Sequence, residues 1–95
     1  MLTRFDSKIS IPPEVMVRGV GGESVVLDLK TEKYLGLDDV ATSMWQALTT
    51  AESVEAAYKV LAANFDVEGE QLRHDLDDFV QELIKLGLID VGDKG

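Results

Sequence analysis

The sequence predicts an α+β domain in which a three-stranded antiparallel sheet is followed by three helices, in the order β-β-β-α-α-α. Three observations carry this. Two short valine-rich alternating runs flank the pair Gly21-Gly22. Apolar residues in the C-terminal half recur at spacings of three and four. The strand-like and helix-like stretches fall in separate runs, the pattern of an α+β domain.

The elements follow in order. Pro12-Pro13 excludes a helix and reads as an extended approach. Residues 14–20 (EVMVRGV) alternate and are mostly β-branched, so they form the first predicted strand. Gly21-Gly22 can place φ > 0 at both turn positions of a hairpin. In the second strand, residues 23–29 (ESVVLDL), Val25, Leu27 and Leu29 make the apolar face, expected to be the covered one. A polar break, 30–33, leads to a short third strand, 34–37 (YLGL).

Asp38-Asp39 caps the first helix, whose stripe is Val40, Ala41, Met44, Trp45 and Leu48. Ser53 caps the second, residues 54–63, with Val54, Ala57, Tyr58 and Leu61 inward. Asp66 is the expected cap of the last helix. There Leu72, Leu76, Phe79, Leu83 and Leu86 form one stripe, with Val80 and Ile84 beside it. Lys85, Gly87 and Leu88 give a stop signal of Schellman type. Residues 88–91 add one short extended segment. The 95 residues are expected to form a single domain with its core over 14–91, residues 1–12 and 92–95 being flexible.

Composition excludes several functions. Without cysteine there is no disulfide framework and no thiolate site. No apolar run is long enough to span a bilayer, and the first residues show no signal-peptide pattern, so the expected location is cytoplasmic. The net charge of −9 opposes binding to duplex nucleic acid, since the nine Lys and Arg are scattered.

Little points to catalysis. His74, the single histidine, lies on the polar side of the last helix with no second histidine near it. The acidic run Asp75, Asp77, Asp78 and Glu82 sits mid-helix, unlike a calcium loop, and reads as a solvated face. The glycines make no phosphate-binding pattern. No enzyme, no cofactor and no metal site is expected.

A binding module remains. If the third strand lies at the sheet edge, its unpaired backbone groups can accept a strand from another chain. Gly36 leaves room for a close approach. The candidate site is therefore Lys33, Tyr34, Leu35 and Gly36 on the strand, with Leu72, Arg73, Leu76 and Val80 on the flank of the last helix as the opposite wall. For Leu72 and Leu76 the competing assignment is plain core.

The segments SVVLDLKTEKYLGLDDVATSMWQAL, SVEAAYKVLAANFDV and LRHDLDDFVQELIKLGLI carry a resemblance. The hairpin through LGLDD, the Ala41/Trp45 helix start and the closing Lys85-Leu86-Gly87-Leu88-Ile89 resemble PqqD-like proteins over about residues 15–91. These are the recognition elements of ribosomally made, modified peptides (RiPPs), small winged-helix-like domains. The resemblance implies a non-catalytic module to which a precursor's leader peptide adds as a strand, beside Tyr34, Leu35 and Gly36 and along the last helix. It also implies a maturation enzyme as partner: a radical-SAM enzyme in quinone cofactor biosynthesis, or a leader protease and a cyclase in lasso-peptide systems. The phrase YLGLDDVATSMWQAL looks closer to the lasso-type and generic domains. A monomer or weak dimer is expected. The alternatives are a winged-helix DNA-binding regulator, which the acidic charge opposes, and a structural module that homodimerises through the free edge.

Overall fold

The structure, a computed structural model, describes residues 7–92. The first hairpin joins β2 (Val15–Val20) to β3 (Glu23–Asp28), after a short N-terminal strand β1 (Lys8–Ser10). The turn between them has Gly21 at φ 66°. A second turn leads to β4 (Tyr34–Leu37), and the sheet order is β2-β3-β4, antiparallel throughout. Helices α1 (Asp39–Thr50), α2 (Val54–Asn64) and α3 (Gly69–Lys85) follow, then a last short strand, β5 (Asp90–Gly92). The predicted order is thus observed; one short strand precedes it, and the extended segment expected over 88–91 appears in part as β5.

Of the two ends expected to be flexible, residues 8–10 form β1 and residue 92 ends β5. β1 pairs antiparallel with β5, Ile9 lying opposite Val91. Ser7 and Ile9 are buried, and the Ser7 carbonyl accepts the amide of Val54 at the start of α2 (2.9 Å). The cause lies at the other end of the chain. Leu88 and Ile89 are buried just after α3 and hold the following residues beside Ile9. Residues 1–6 and 93–95 lie outside the described residues.

The covered face of the sheet is the opposite of the expected one. Ser24, Val26 and Asp28 are buried, whereas Val25 and Leu29 are exposed and Leu27 is half-buried. Hydrophobicity misleads here because the inward polar groups have partners close by. Ser24 Oγ shares a hydrogen bond with Thr42 Oγ1 of α1 (2.8 Å). Asp28 Oδ1 accepts the amides of Lys30 (2.8 Å) and Thr31 (3.0 Å). A buried polar atom with a partner avoids the desolvation cost that would otherwise set the strand's orientation.

The helices begin as capping chemistry directs. Asp38 Oδ1 accepts the Ala41 amide (2.8 Å), and Ser53 Oγ accepts the Ala56 amide (3.0 Å). Asp66 does not cap α3: the helix starts at Gly69, and Glu68, in the cap position, makes no side-chain cap bond. A reason to start there is visible. A Cβ on residue 69 would lie 2.5 Å from the Tyr58 hydroxyl, so glycine lets α3 begin against α2. The far end of α3 closes as predicted. Gly87 has φ 72°, its amide donates to Ile84 O, and the Leu88 amide donates to Leu83 O, both at 3.0 Å.

One core joins these elements. Trp45, Leu48, Val54, Leu61, Leu76, Val80 and Leu83 from the helices meet Val26 and Leu37 from the sheet, with Leu88 and Ile89 below α3. Each such side chain contributes roughly 1.5–3 kcal/mol by leaving water.

Candidate functional site

β4 forms an open edge of the sheet. Which of its backbone groups face outward follows from alternation in an antiparallel ladder. The Asp28 amide donates to Lys33 O (2.9 Å), so Lys33 turns its carbonyl toward β3. Two residues on, in the same register, Leu35 lies opposite Val26, and Leu37 opposite Ser24. Their amides and carbonyls also turn inward. Tyr34 and Gly36, between them, therefore present N–H and C=O groups to the open edge. The opposite strand agrees: Leu29 N donates to Glu14 O (2.9 Å), which turns residues 25, 27 and 29 of the chain toward β2 and leaves 24, 26 and 28 for β4. Tyr34 is 67% exposed, and Lys33 and Gly36 are exposed as well.

The turn before β4 sets this register. The backbone N–H groups of Thr31 and Lys30 hold the Asp28 carboxyl below its usual range. Glu32 adopts φ 64°, and its amide donates to Asp28 O (2.8 Å).

α1 starts two residues after β4 ends, and this places Val40 at the end of the edge. Val40, Met44, Phe65, Val67, Leu72 and Asp75 line a pocket of about 120 Å³. It lies between the first turns of α1, the α2–α3 connection and the first turns of α3. Val40 and Val67 are half-exposed at its mouth, while Met44 and Leu72 are buried. On the outer face of the sheet a second, more open hollow of about 360 Å³ is lined by Val20, Val25, Gly36 and Asp38 among others.

The predicted helix residues divide. Leu72 lines the pocket, though it is buried. Leu76 and Val80 have no exposed surface and are core. Arg73 turns toward α2: its guanidinium meets both Glu55 carboxylate oxygens (2.8 and 3.1 Å at the closest) and lies 4.6 Å over the Tyr58 ring. Arg73, Leu76 and Val80 thus do not make an open wall on α3; Leu72 and Asp75 are its residues that line the pocket. Leu76 belongs to the predicted core stripe and is buried with it, and the stripe is wide enough to enclose Val80 as well. Sequence reasoning missed Val40, Met44, Phe65, Val67 and Asp75. The available signal was Val67, an apolar residue stranded between Asp66 and Glu68 outside any helix.

The acidic run is less uniform than predicted. Asp77 is buried, and among the described residues no buried side-chain nitrogen or oxygen lacks a hydrogen-bond partner. His74 is 71% exposed and lies 3.4 Å from Asp78. No group of three or more His, Asp or Glu among the described residues is placed to hold a metal ion, and no described helix is long and apolar enough to cross a membrane.

The chain belongs to the PqqD family, whose model, coenzyme PQQ synthesis protein D, matches residues 23–89. That span runs from β3 to the end of the core below α3. Two solved structures share the fold. One is TbiB1 in complex with the TbiA(beta) leader peptide, at 29% identity and a TM-score of 0.77, covering 84% of this chain and 93% of that one. The other is lasso peptide synthetase B1 complexed with the leader peptide, at 24% identity and a TM-score of 0.77, covering 87% and 98%. No curated protein matches the chain.

Proposed function

We propose that this protein is a non-catalytic leader-peptide-binding module of a RiPP pathway, of lasso-peptide or related type. It captures the leader of a ribosomally made precursor as an extra strand on β4 and presents the precursor to a maturation enzyme. The observation that carries this reading is the pairing of outward amides at Tyr34 and Gly36 with an apolar pocket at the end of the same strand. Main-chain hydrogen bonds give such a site affinity, and the pocket gives it selectivity. Support comes from the family and from two structures of the same fold that hold leader peptides.

The contact set is Lys33, Tyr34, Leu35 and Gly36 on the edge, with Val40, Val67, Leu72 and Asp75 at the pocket. Leu76, Val80 and Arg73 support it from behind, the first two by packing and the third by fixing α3 on α2. The energies are adequate. Two residues with outward groups allow up to four backbone hydrogen bonds at a net of about 1 kcal/mol each. Apolar side chains filling the pocket add roughly 1.5–3 kcal/mol apiece. After the cost of ordering a flexible peptide, a Kd in the micromolar to submicromolar range follows, about −8 to −9 kcal/mol.

Calorimetric titration with the leader of the precursor encoded beside the gene tests this. Saturable binding in that range is expected. Absence of binding at high micromolar leader would remove the proposal.

A further inference from the structure

Among the described residues nothing requires Gly36 to be glycine. Gly87 takes a positive φ, and Gly69 abuts Tyr58. Gly36 does neither: its φ is not positive, and a Cβ built on it meets nothing within 4 Å among the described residues. Glycine in the middle of a strand is a local cost, because it gives up chain entropy and packs nothing. A residue that the chain itself does not require to be small is explained by something that approaches from outside.

The surroundings say what approaches. Gly36 lies opposite Val25 in the ladder, and with no side chain at 36 Val25 stays 40% exposed. The hollow of about 360 Å³ opens there, floored by Gly36 and Val25 and walled by Val20 and Asp38. It opens on the outer face of the sheet, with Glu23 and the α1 cap Asp38 also in its lining. The Gly36 backbone groups point along the open edge, so a guest residue that pairs with them as an antiparallel strand, exchanging both bonds, points its side chain to the outer face. That side chain leans over Gly36 and into the hollow.

We infer that Gly36 is a specificity-determining residue, and that the leader residue bonded opposite it carries a large flat apolar side chain, aromatic by preference, which lies across Gly36 onto Val25 and Val20. This rests on the strand-addition reading above. An aromatic ring laid across a glycine on a neighbouring strand covers backbone that no side chain of the host covers. The leader is thus read on both faces of the sheet. Its residues on the helix side face the Val40–Leu72 pocket, and the one at Gly36 faces the outer hollow.

The test uses a display library of random twelve-residue peptides selected on the full chain. Wild-type binders are expected to share a large aromatic residue at one register. On binding they should shift the Val20 and Val25 methyl resonances upfield through the ring current. The same peptides should bind Gly36→Val about tenfold more weakly and Gly36→Ala less severely weakened. Both variants should melt no lower than wild type, since valine suits a strand better than glycine and the space is open. Lower affinity with equal or higher stability separates a specificity role from a structural one. Binders that protect the Tyr34 and Gly36 amides but show no aromatic preference, or that bind Gly36→Val unchanged, overturn this inference and leave the strand-addition reading standing. A library that yields no binder overturns both.

Discussion

The sheet has two open edges, and they are not equivalent. β2 is the longer, six residues against four, and it is exposed along nearly all its length. By the same alternation its outward backbone groups are at Val15, Val17 and Gly19, and the Val15 amide is already bonded to Pro12 O (3.0 Å). By length and apolar character β2 is the more obvious template for another strand. β4 is shorter, yet it ends where α1 begins, and that junction supplies the pocket of Val40, Met44 and Leu72 on one side. On the other side Gly36 opens the outer hollow. An exposed edge alone offers backbone bonds to any extended chain. An edge with a side-chain pocket on each face can choose among them.

The comparison can be broken in several places. The largest effect concerns α3 behind the site. Leu76→Ala should cost about 2–5 kcal/mol of stability, measured by denaturant unfolding, because the residue is fully enclosed. A loss of leader affinity with unchanged stability would mean instead that Leu76 touches the guest. Next come matched prolines. Tyr34→Pro deletes an outward amide of β4 and should weaken leader binding about tenfold or more while the domain stays folded. Val17→Pro deletes an outward amide of β2 and should leave affinity unchanged. Leu35→Pro should unfold or strongly destabilise the sheet, because that amide faces β3.

A smaller effect is expected at the pocket mouth. Val40→Asp places a charge beside Asp75 in an apolar pocket and should weaken binding several-fold in a calorimetric titration. Stability should hardly change, since an acidic residue suits the first turn of a helix. The smallest effect is in the turn that sets β4. The folded-state carboxyl of Asp28 lies below 3.8, so its contribution to stability is present above the unfolded-state value and is lost as pH falls through the folded one. Melting curves should therefore show wild type exceeding Asp28→Asn near neutral pH, with the gap closing below about pH 3.8. A gap that stays constant with pH would remove the charge from the account.

Much of this architecture was legible because it is written locally. The Gly21 turn, the Asp38 and Ser53 caps and the Gly87-Leu88 stop each depend on residues within a turn of one another. The edge position of the third predicted strand followed from its place in the meander. What stayed hidden depends on distant partners. The orientation of β3 turned on the hydrogen bond between Ser24 and Thr42 at the core face, which no alternation rule registers. The β1–β5 pair joins residues some eighty positions apart in strands of three, too short to show a period. The pocket is assembled from α1, α3 and the loop before α3, so Val40 read as core and Val67 as nothing in particular. Arg73 read as a groove residue because its partners, Glu55 and Tyr58, lie on a different helix.

The claim that β4 and not β2 receives the leader is tested most directly by amide hydrogen exchange, residue by residue, with and without the leader of the neighbouring precursor. The account predicts that the amides of Tyr34 and Gly36 become strongly protected on binding while those of Val17 and Gly19 exchange as before. Protection at Val17 and Gly19, with Tyr34 and Gly36 unchanged, would contradict it.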